Sequence, residues 1–184
     1  MKITKGLSAI AVILAICIFY TAVGNGEAVE PVVVTAEEPA EIEIIEEEPE
    51  ERFTYYDVPL TDEQQEIIQT IAHENCVPYE IVLGVMYVES RFNADAVGDS
   101  GNSLGIMQIQ PKWHTWRLEE TGGSDWMDTV DNAKVGIHIL SEKLQKYGRV
   151  EKALVVYNMG DNGARGIEST DYSKKVLEYA YSLY

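Results

Sequence analysis

The stretch Glu89–Pro111 reads ESRFNADAVGDSGNSLGIMQIQP and begins where an apolar helical pattern from Pro78 onward comes to its end. Apolar residues in that pattern recur at steps of four and three, as one face of a helix requires: Ile81, Val85 and Val88. Glu89 follows Val85 by four residues and therefore lies on or beside the same face. The sequence thus predicts a carboxylate that points to the interior of a helical domain.

Two effects are expected to raise the pKa of the Glu89 carboxyl group. Burial disfavours the ionised form, and the unpaired carbonyl groups in the last turn of a helix act in the same direction. The alternative is a partly exposed ion pair with Arg91, but residues two positions apart on a helix do not face each other. A raised pKa is typical of a general acid, so we predict that Glu89 is the catalytic residue.

The charge of the chain is strongly negative and unevenly distributed. The 184 residues carry a formal net charge of −17, and residues 27–51 contain 11 Glu but no Lys or Arg. Residues 52–184 still carry −8, and no basic stripe is present. Because phosphate backbones repel such a surface, we expect no nucleic-acid partner.

Cysteine and histidine patterns predict neither a disulfide nor a metal site. Cys17 lies in the N-terminal apolar run, which leaves Cys76 alone in the domain. The three histidines are isolated, with no second ligand at metal-binding spacing: His73, His114 and His138. We therefore expect no metal and no cofactor.

Residues 1–24 are predicted to be an export signal or a membrane anchor. Two lysines precede an apolar run from Leu7 to Val23. The triplet Ala22-Val23-Gly24 fits signal-peptidase cleavage, whereas an uncleaved helix of this length would span roughly 26 Å of the bilayer. Lipid attachment at Cys17 is disfavoured because Ile16 stands where a small residue is needed. In each case the rest of the chain lies outside the cytoplasm, either anchored to the membrane or secreted.

Residues 25–52 are predicted to be an acidic, disordered linker, because Glu and Pro dominate and no aromatic residue is present to pack against. This segment is either a spacer or a tail that only aids solubility.

Residues 53–184 are predicted to form one all-α domain. Its expected helix signals are a capping box at Thr61–Gln64, a long helix over 129–147, a short one over 151–158, and a final helix capped by Ser169 or Thr170. The Gly- and Asn-rich loop 98–105 shows no strand alternation.

Four motifs now follow in order along the chain: Glu89-Ser90, Gly105–Pro111 (GIMQIQP), Ala153–Gly160 (ALVVYNMG) and Tyr172. Together they resemble the lytic transglycosylases of the soluble (SLT) type, which belong to the lysozyme-like superfamily and are relatives of goose-type lysozyme. The resemblance covers roughly residues 60–184. The chain departs from the family pattern at three positions, where the family has Leu, Met and Ala: Ile106, Gln110 and Met159.

The resemblance implies a lysozyme-like multi-helix domain with an active-site groove. It implies cleavage of the β-1,4 bond between N-acetylmuramic acid and N-acetylglucosamine in peptidoglycan, with 1,6-anhydromuramyl ends as products. Glu89 would act first as acid and then as base. The expected partners are peptidoglycan glycan strands, and the membrane if segment 1–24 is uncleaved; we expect a monomer.

The substrate-binding residues that the resemblance implies are Ser90, Ser100, Met107, Gln108, Ile109, Tyr157, Asn158 and Tyr172. The loop around residue 100 is about one residue longer than the family pattern, so Ser103 is an alternative to Ser100. For the three tryptophans, sugar stacking and core packing are both open: Trp113, Trp116 and Trp126.

Two other functions are compatible with the same residues. A hydrolase would need a second carboxylate to activate water, and Asp95 and Asp99 are the candidates near Glu89. A wall-binding module without turnover would have no use for a buried acid, which argues against that function.

Overall fold

The computed structural model describes residues 53–184, which form six α-helices and one two-stranded sheet. In chain order the elements are α1 (Asp62–Glu74), α2 (Tyr79–Ser90), β1 (Val97–Gly98), β2 (Ser103–Leu104), α3 (Pro111–Glu120), α4 (Thr129–Tyr147), α5 (Val150–Gly163) and α6 (Asp171–Ser182). The predicted signal or anchor at 1–24 and the predicted linker at 25–52 lie outside the described residues. Within 53–184, no helix is both long and apolar enough to cross a membrane.

Helix α2 lies in the centre of the domain and packs against α1 and α6. Every residue from 81 to 86 is buried, so the helix is apolar on all sides and not only on the predicted face. The contact with α6 is close at Gly84, where an added Cβ would lie 2.7 Å from the main-chain oxygen of Val176. A side chain at position 84 would therefore separate the two helices.

The helix ends follow the local signals in the sequence. Thr61 and Gln64 form the predicted capping box, and Thr170, not Ser169, caps α6. Helix α4 has the predicted bounds and ends at Gly148, which has the left-handed φ of 66°. Helix α5 differs from the expectation: Gly160 interrupts it with φ 70° and ψ 166°, but it continues to Gly163.

The loop after α2 contains a small hairpin that the sequence pattern did not reveal. Strands β1 and β2 are antiparallel, with Val97 opposite Leu104 and Gly98 opposite Ser103. Strands of two residues are too short for an alternation of polar and apolar side chains to appear. The predicted all-helical class is confirmed, and the hairpin shapes the loop next to the end of α2.

Candidate active site

Glu89 and Tyr172 form the centre of the site. Glu89 lies in the last turn of α2 and Tyr172 in the first turn of α6, so the packing of these helices brings the two side chains together. The Tyr172 hydroxyl donates a hydrogen bond to Glu89 Oε1 at 2.7 Å. Burial raises the pKa of Glu89 to about 7, and the hydrogen bond from Tyr172 opposes this rise only in part.

Arg91 does not neutralise Glu89. Arg91 has a left-handed backbone conformation, and its guanidinium lies 3.8 Å from the centre of the Tyr87 ring. Among the described residues, no ion pair involves Glu89. The alternative of an ion pair between Glu89 and Arg91 is therefore wrong, and the Glu89 carboxyl group can be protonated.

Tyr157 supplies a second phenol near the site. Its hydroxyl donates to the main-chain oxygen of Met107 at 3.0 Å. Burial, followed by the charge of Glu89, raises the pKa of both Tyr157 and Tyr172 well above the ordinary value. Both phenols therefore remain protonated donors at neutral pH.

Met107 is held at its main chain by a residue that the sequence analysis did not single out. Asn132 of α4 accepts a hydrogen bond from Met107 N at 2.9 Å, and its amide donates to the main-chain oxygens of Leu104 and Trp126. The Met107 side chain is fully buried and packs against Gly136. The sequence did contain one signal for this role. Asn132 lies on the apolar face of α4, and burying its amide there is unfavourable unless the amide is hydrogen-bonded.

Gln108 lies on the groove but uses its amide hydrogens within the loop. Its backbone is left-handed, with φ 50°, and Nε2 donates to the main-chain oxygens of Ala96 and Gly105 at 3.0 and 2.9 Å. Oε1 lies against Gly98, where an added Cβ would be only 2.2 Å away. Both ends of the Gln108 amide are therefore engaged within the loop, Nε2 by its two hydrogen bonds and Oε1 by its contact with Gly98.

The structure places the predicted serines differently from one another. Ser90 donates to the main-chain oxygens of Ile106 and Met86, which joins α2 to the loop, and it is outside the groove lining. Ser100 is exposed on the turn between the strands and is also outside that lining. Ser103 lies on the groove. Of the two alternatives in this loop, the fold brings Ser103 and not Ser100 to the site.

A groove of about 930 Å³ runs past Glu89. Four further residues predicted to bind substrate line it: Gln108, Ile109, Tyr157 and Asn158. Tyr172 is outside the lining and reaches the site through its bond to Glu89. Residues on the groove that the sequence analysis did not assign to it include Gln110, His114, Lys143 and Asp161.

The two candidate second carboxylates differ in position. Asp99 lines the groove and accepts a hydrogen bond from Gln110 Nε2 at 3.1 Å. Asp95 is exposed and lies outside the groove lining.

The three tryptophans also differ in their position relative to the groove. Trp113 lines the groove, Trp116 is exposed on the same helix α3, and Trp126 packs against the core.

Known proteins resemble this chain over the same region. The family model of the transglycosylase SLT domain matches residues 66–179. A transglycosylase of Enterobacteria phage PRD1 is 31% identical over 99 residues, which are 53% of this chain and 36% of the phage protein. Protein IpgF of Shigella flexneri is 30% identical over 54% of this chain and 69% of its own length. Lysozyme g of Casuarius casuarius is 24% identical over 67% of this chain and 70% of its own.

A solved structure has the same fold. An inactive glutamate-to-glutamine mutant of the lytic transglycosylase Slt from Pseudomonas aeruginosa matches with a TM-score of 0.54 and 18% identity, over 63% of this chain and 23% of that one. The present chain thus spans about a third of the phage relative and about a quarter of the Pseudomonas enzyme. The family model covers well over half of the chain, which confirms the predicted family. This chain belongs to the transglycosylase SLT domain family.

Proposed function

We propose that this protein is a peptidoglycan lytic transglycosylase and that Glu89 is its acid and base. The observation that carries the proposal is the Glu89 carboxyl group, which lines a groove, has a pKa of about 7 and accepts a hydrogen bond from a phenol. Membership of the SLT domain family and the similarity to a phage transglycosylase support the reaction class. The Pseudomonas relative is inactive when one glutamate is replaced by glutamine, which supports a glutamate-dependent reaction.

The proposed substrate is the β-1,4 bond between N-acetylmuramic acid and N-acetylglucosamine. Protonated Glu89 donates its proton to the bridging oxygen, and the bond from that oxygen to C1 of the muramic sugar breaks. The N-acetyl carbonyl of that sugar stabilises the positive charge on C1. Ionised Glu89 then removes the proton of the C6 hydroxyl, and O6 closes onto C1 to form the 1,6-anhydro ring. No water is consumed, and Glu89 regains its proton.

The geometry supplies supporting roles for the residues around Glu89. Tyr172 orients the carboxylate, because its hydroxyl is bonded to Oε1. Asn158 offers its exposed amide to the N-acetyl and hydroxyl groups of the glycan, and Gln108 holds the loop that lines the groove. Tyr157 fixes the loop through the main-chain oxygen of Met107. Ser103, which lines the groove, is the proposed substrate-contacting serine of this loop in place of Ser100.

The site of action follows from the substrate. A peptidoglycan-cleaving domain works outside the cytoplasm, in the cell wall. Segment 1–24 as signal or anchor, residues 25–52 as linker and the monomeric state remain our predictions.

A lysozyme-type hydrolase is the second candidate, because Asp99 lines the same groove as Glu89. In that reaction Asp99 would activate a water molecule opposite the acid. The Asp99→Asn variant separates the two mechanisms. A transglycosylase retains its activity in this variant, whereas a hydrolase that depends on Asp99 loses it.

The direct test replaces Glu89 by Gln and measures the release of soluble fragments from purified peptidoglycan. We expect the rate to fall about 100- to 10,000-fold while sedimentation with peptidoglycan is retained. Glu178→Gln is the matched control, because Glu178 is an exposed carboxylate on α6. A Glu89→Gln variant as active as the parent would remove the basis of the proposal.

A further inference from the structure

Helix α3 brings two adjacent side chains, Trp113 and His114, to the lining of the groove. Trp113 is 61% exposed, so its indole offers a large apolar surface to whatever enters. Lys112 Nζ lies 4.7 Å from the centre of this ring. Exposed aromatic rings inside a groove are typical of ligand sites, because covering them with a ligand is favourable.

Trp116 is on the same helix but belongs to a different environment. It is 50% exposed, yet it is not among the groove-lining residues of the described chain. The Arg117 guanidinium lies 4.3 Å from the centre of its ring, and the ring packs edge-on to His138. Both rings therefore have a cation beside them, but only Trp113 lines the groove.

A hydrogen bond determines which ring nitrogen of His114 carries the proton. Arg117 Nε donates to His114 Nδ1 at 3.2 Å. Since an arginine Nε–H can only donate, Nδ1 carries the lone pair and the ring proton is on Nε2. Burial, followed by the charges of Arg117 and Lys143, lowers the pKa of His114 to about 4, while Glu142 acts in the opposite direction. The ring is therefore neutral at neutral pH, and no hydrogen bond within residues 53–184 uses Nε2–H.

Arg117 itself has little freedom to move. It is 7% exposed, and its guanidinium donates to Glu142 Oε2 at 2.5 Å. Another guanidinium nitrogen lies 3.4 Å from His138 Nδ1. A side chain held in this way fixes the orientation of His114 before any ligand arrives, which reduces the entropy cost of binding.

The charge of this part of the groove favours a neutral ligand. Lys143, a cation of the lining, is paired with Asp161 at 3.0 Å. His114 supplies a neutral donor, and Trp113 supplies an apolar platform. A pyranose ring matches this combination, because it has an apolar C–H face and oxygen acceptors at its edge.

We propose that Trp113 and His114 form a saccharide subsite, in which the indole stacks on an N-acetylated pyranose and His114 Nε2–H donates to an oxygen of that sugar. Arg117 is the positioning residue of this subsite. The inference rests on the proposed function, because it names where part of the glycan strand lies in the same groove.

The test measures the binding of soluble N-acetylglucosamine oligomers by calorimetry, in the Glu89→Gln background so that no cleavage occurs. Trp113→Ala is expected to raise Kd about tenfold, and His114→Phe about three- to tenfold. His114→Gln retains a donor and should recover part of the affinity. Tyr181→Ala removes an exposed aromatic side chain of α6 outside the groove lining, so it is the control and should leave Kd unchanged.

Nuclear magnetic resonance of the histidine ring nitrogens tests the role of Arg117. We expect the proton of His114 on Nε2 in the parent, and a mixture of tautomers in Arg117→Met. A proton on Nδ1 in the parent, or an unchanged tautomer in the variant, would overturn the assignment of Arg117.

The outcomes separate the subsite from the proposed function. If the Glu89→Gln protein binds oligomers and the Trp113→Ala and His114→Phe variants bind them equally well, only the subsite is refuted. If the Glu89→Gln protein binds neither oligomers nor peptidoglycan, the substrate class is refuted and the subsite with it.

Discussion

The Tyr172 hydroxyl and the Glu89 carboxylate are 83 positions apart in the chain but 2.7 Å apart in the fold. The phenol donates to the carboxylate and so favours the ionised form, whereas burial favours the protonated form. Burial has the larger effect, and the pKa of Glu89 is about 7. A carboxyl group in this range exchanges its proton readily at neutral pH, as a residue that serves as acid and then as base must do.

Replacing Tyr172 by Phe is expected to move the pH dependence of the reaction. The variant loses the donor that lowers the pKa of Glu89, so this pKa rises. Because the first step needs protonated Glu89, kcat/KM falls as the pH rises through this pKa. The falling limb of the profile should therefore lie at higher pH in Tyr172→Phe than in the parent. A limb that stays in place, or moves to lower pH, would show that Tyr172 does not control Glu89.

The pH dependence of the unfolding free energy should also reveal the raised pKa of Glu89. The pKa of Glu89 rises from 4.5 to about 7 on folding, so the folded state holds this proton more tightly than the unfolded state. The stability gained in this way is complete below about pH 4.5 and is lost as the pH rises through about 7. Gln does not titrate. Relative to the parent, Glu89→Gln should therefore gain about 3 kcal/mol in unfolding free energy across this window.

Urea unfolding at a series of pH values measures that difference. Glu178→Gln serves as the control for the loss of an exposed carboxyl group. A difference between Glu89→Gln and the parent that does not change between about pH 4 and pH 8 would contradict the buried environment of Glu89.

Gly84→Ala tests whether the close approach of α2 and α6 positions the site. The new Cβ would lie 2.7 Å from the Val176 main-chain oxygen, which cannot move without shifting α6. We expect a loss of about 1–3 kcal/mol in unfolding free energy and a lower kcat, because Tyr172 moves away from Glu89. Gly163→Ala, at the exposed end of α5, is the control. Full activity in Gly84→Ala would show that the close approach of α2 and α6 is not needed to position Tyr172 at Glu89.

Asn132→Ala should destabilise the loop that carries Gln108. The substitution leaves Met107 N and the Trp126 oxygen without their partner, whereas the Leu104 oxygen still accepts a hydrogen bond from Ile109 N. Buried groups of this kind cost about 1–3 kcal/mol each when unpaired, so thermal unfolding should show a loss of roughly 2 kcal/mol or more. Asn162→Ala removes an exposed amide and should stay within about 0.5 kcal/mol of the parent. Equal stability of the two variants would refute the structural role of Asn132.

The elements that were predictable from the sequence are those determined by local pattern. Helix α4 has the predicted bounds because apolar residues repeat at helical steps and Gly148 ends the repeat in a left-handed conformation. The burial of Glu89 was predictable for the same reason, since its position relative to Val85 is set by the helix itself.

The features that were missed depend on residues far apart in the chain. Asn132 and Met107 are 25 positions apart, and only the packing of α4 against the loop brings them together. The polar helix α3 carries no sequence signal for the side that faces the groove, so neither Trp113 nor His114 could be assigned there. Strands β1 and β2 were too short to produce a pattern.

The chemical nature of the new chain ends tests the central claim most directly. Purified peptidoglycan is digested with the protein, and the soluble muropeptides are weighed by mass spectrometry. Our account predicts 1,6-anhydromuramyl ends, about 18 Da lighter than reducing ends because no water is added. Reducing ends in the products would contradict it and would identify the protein as a hydrolase of the same bond.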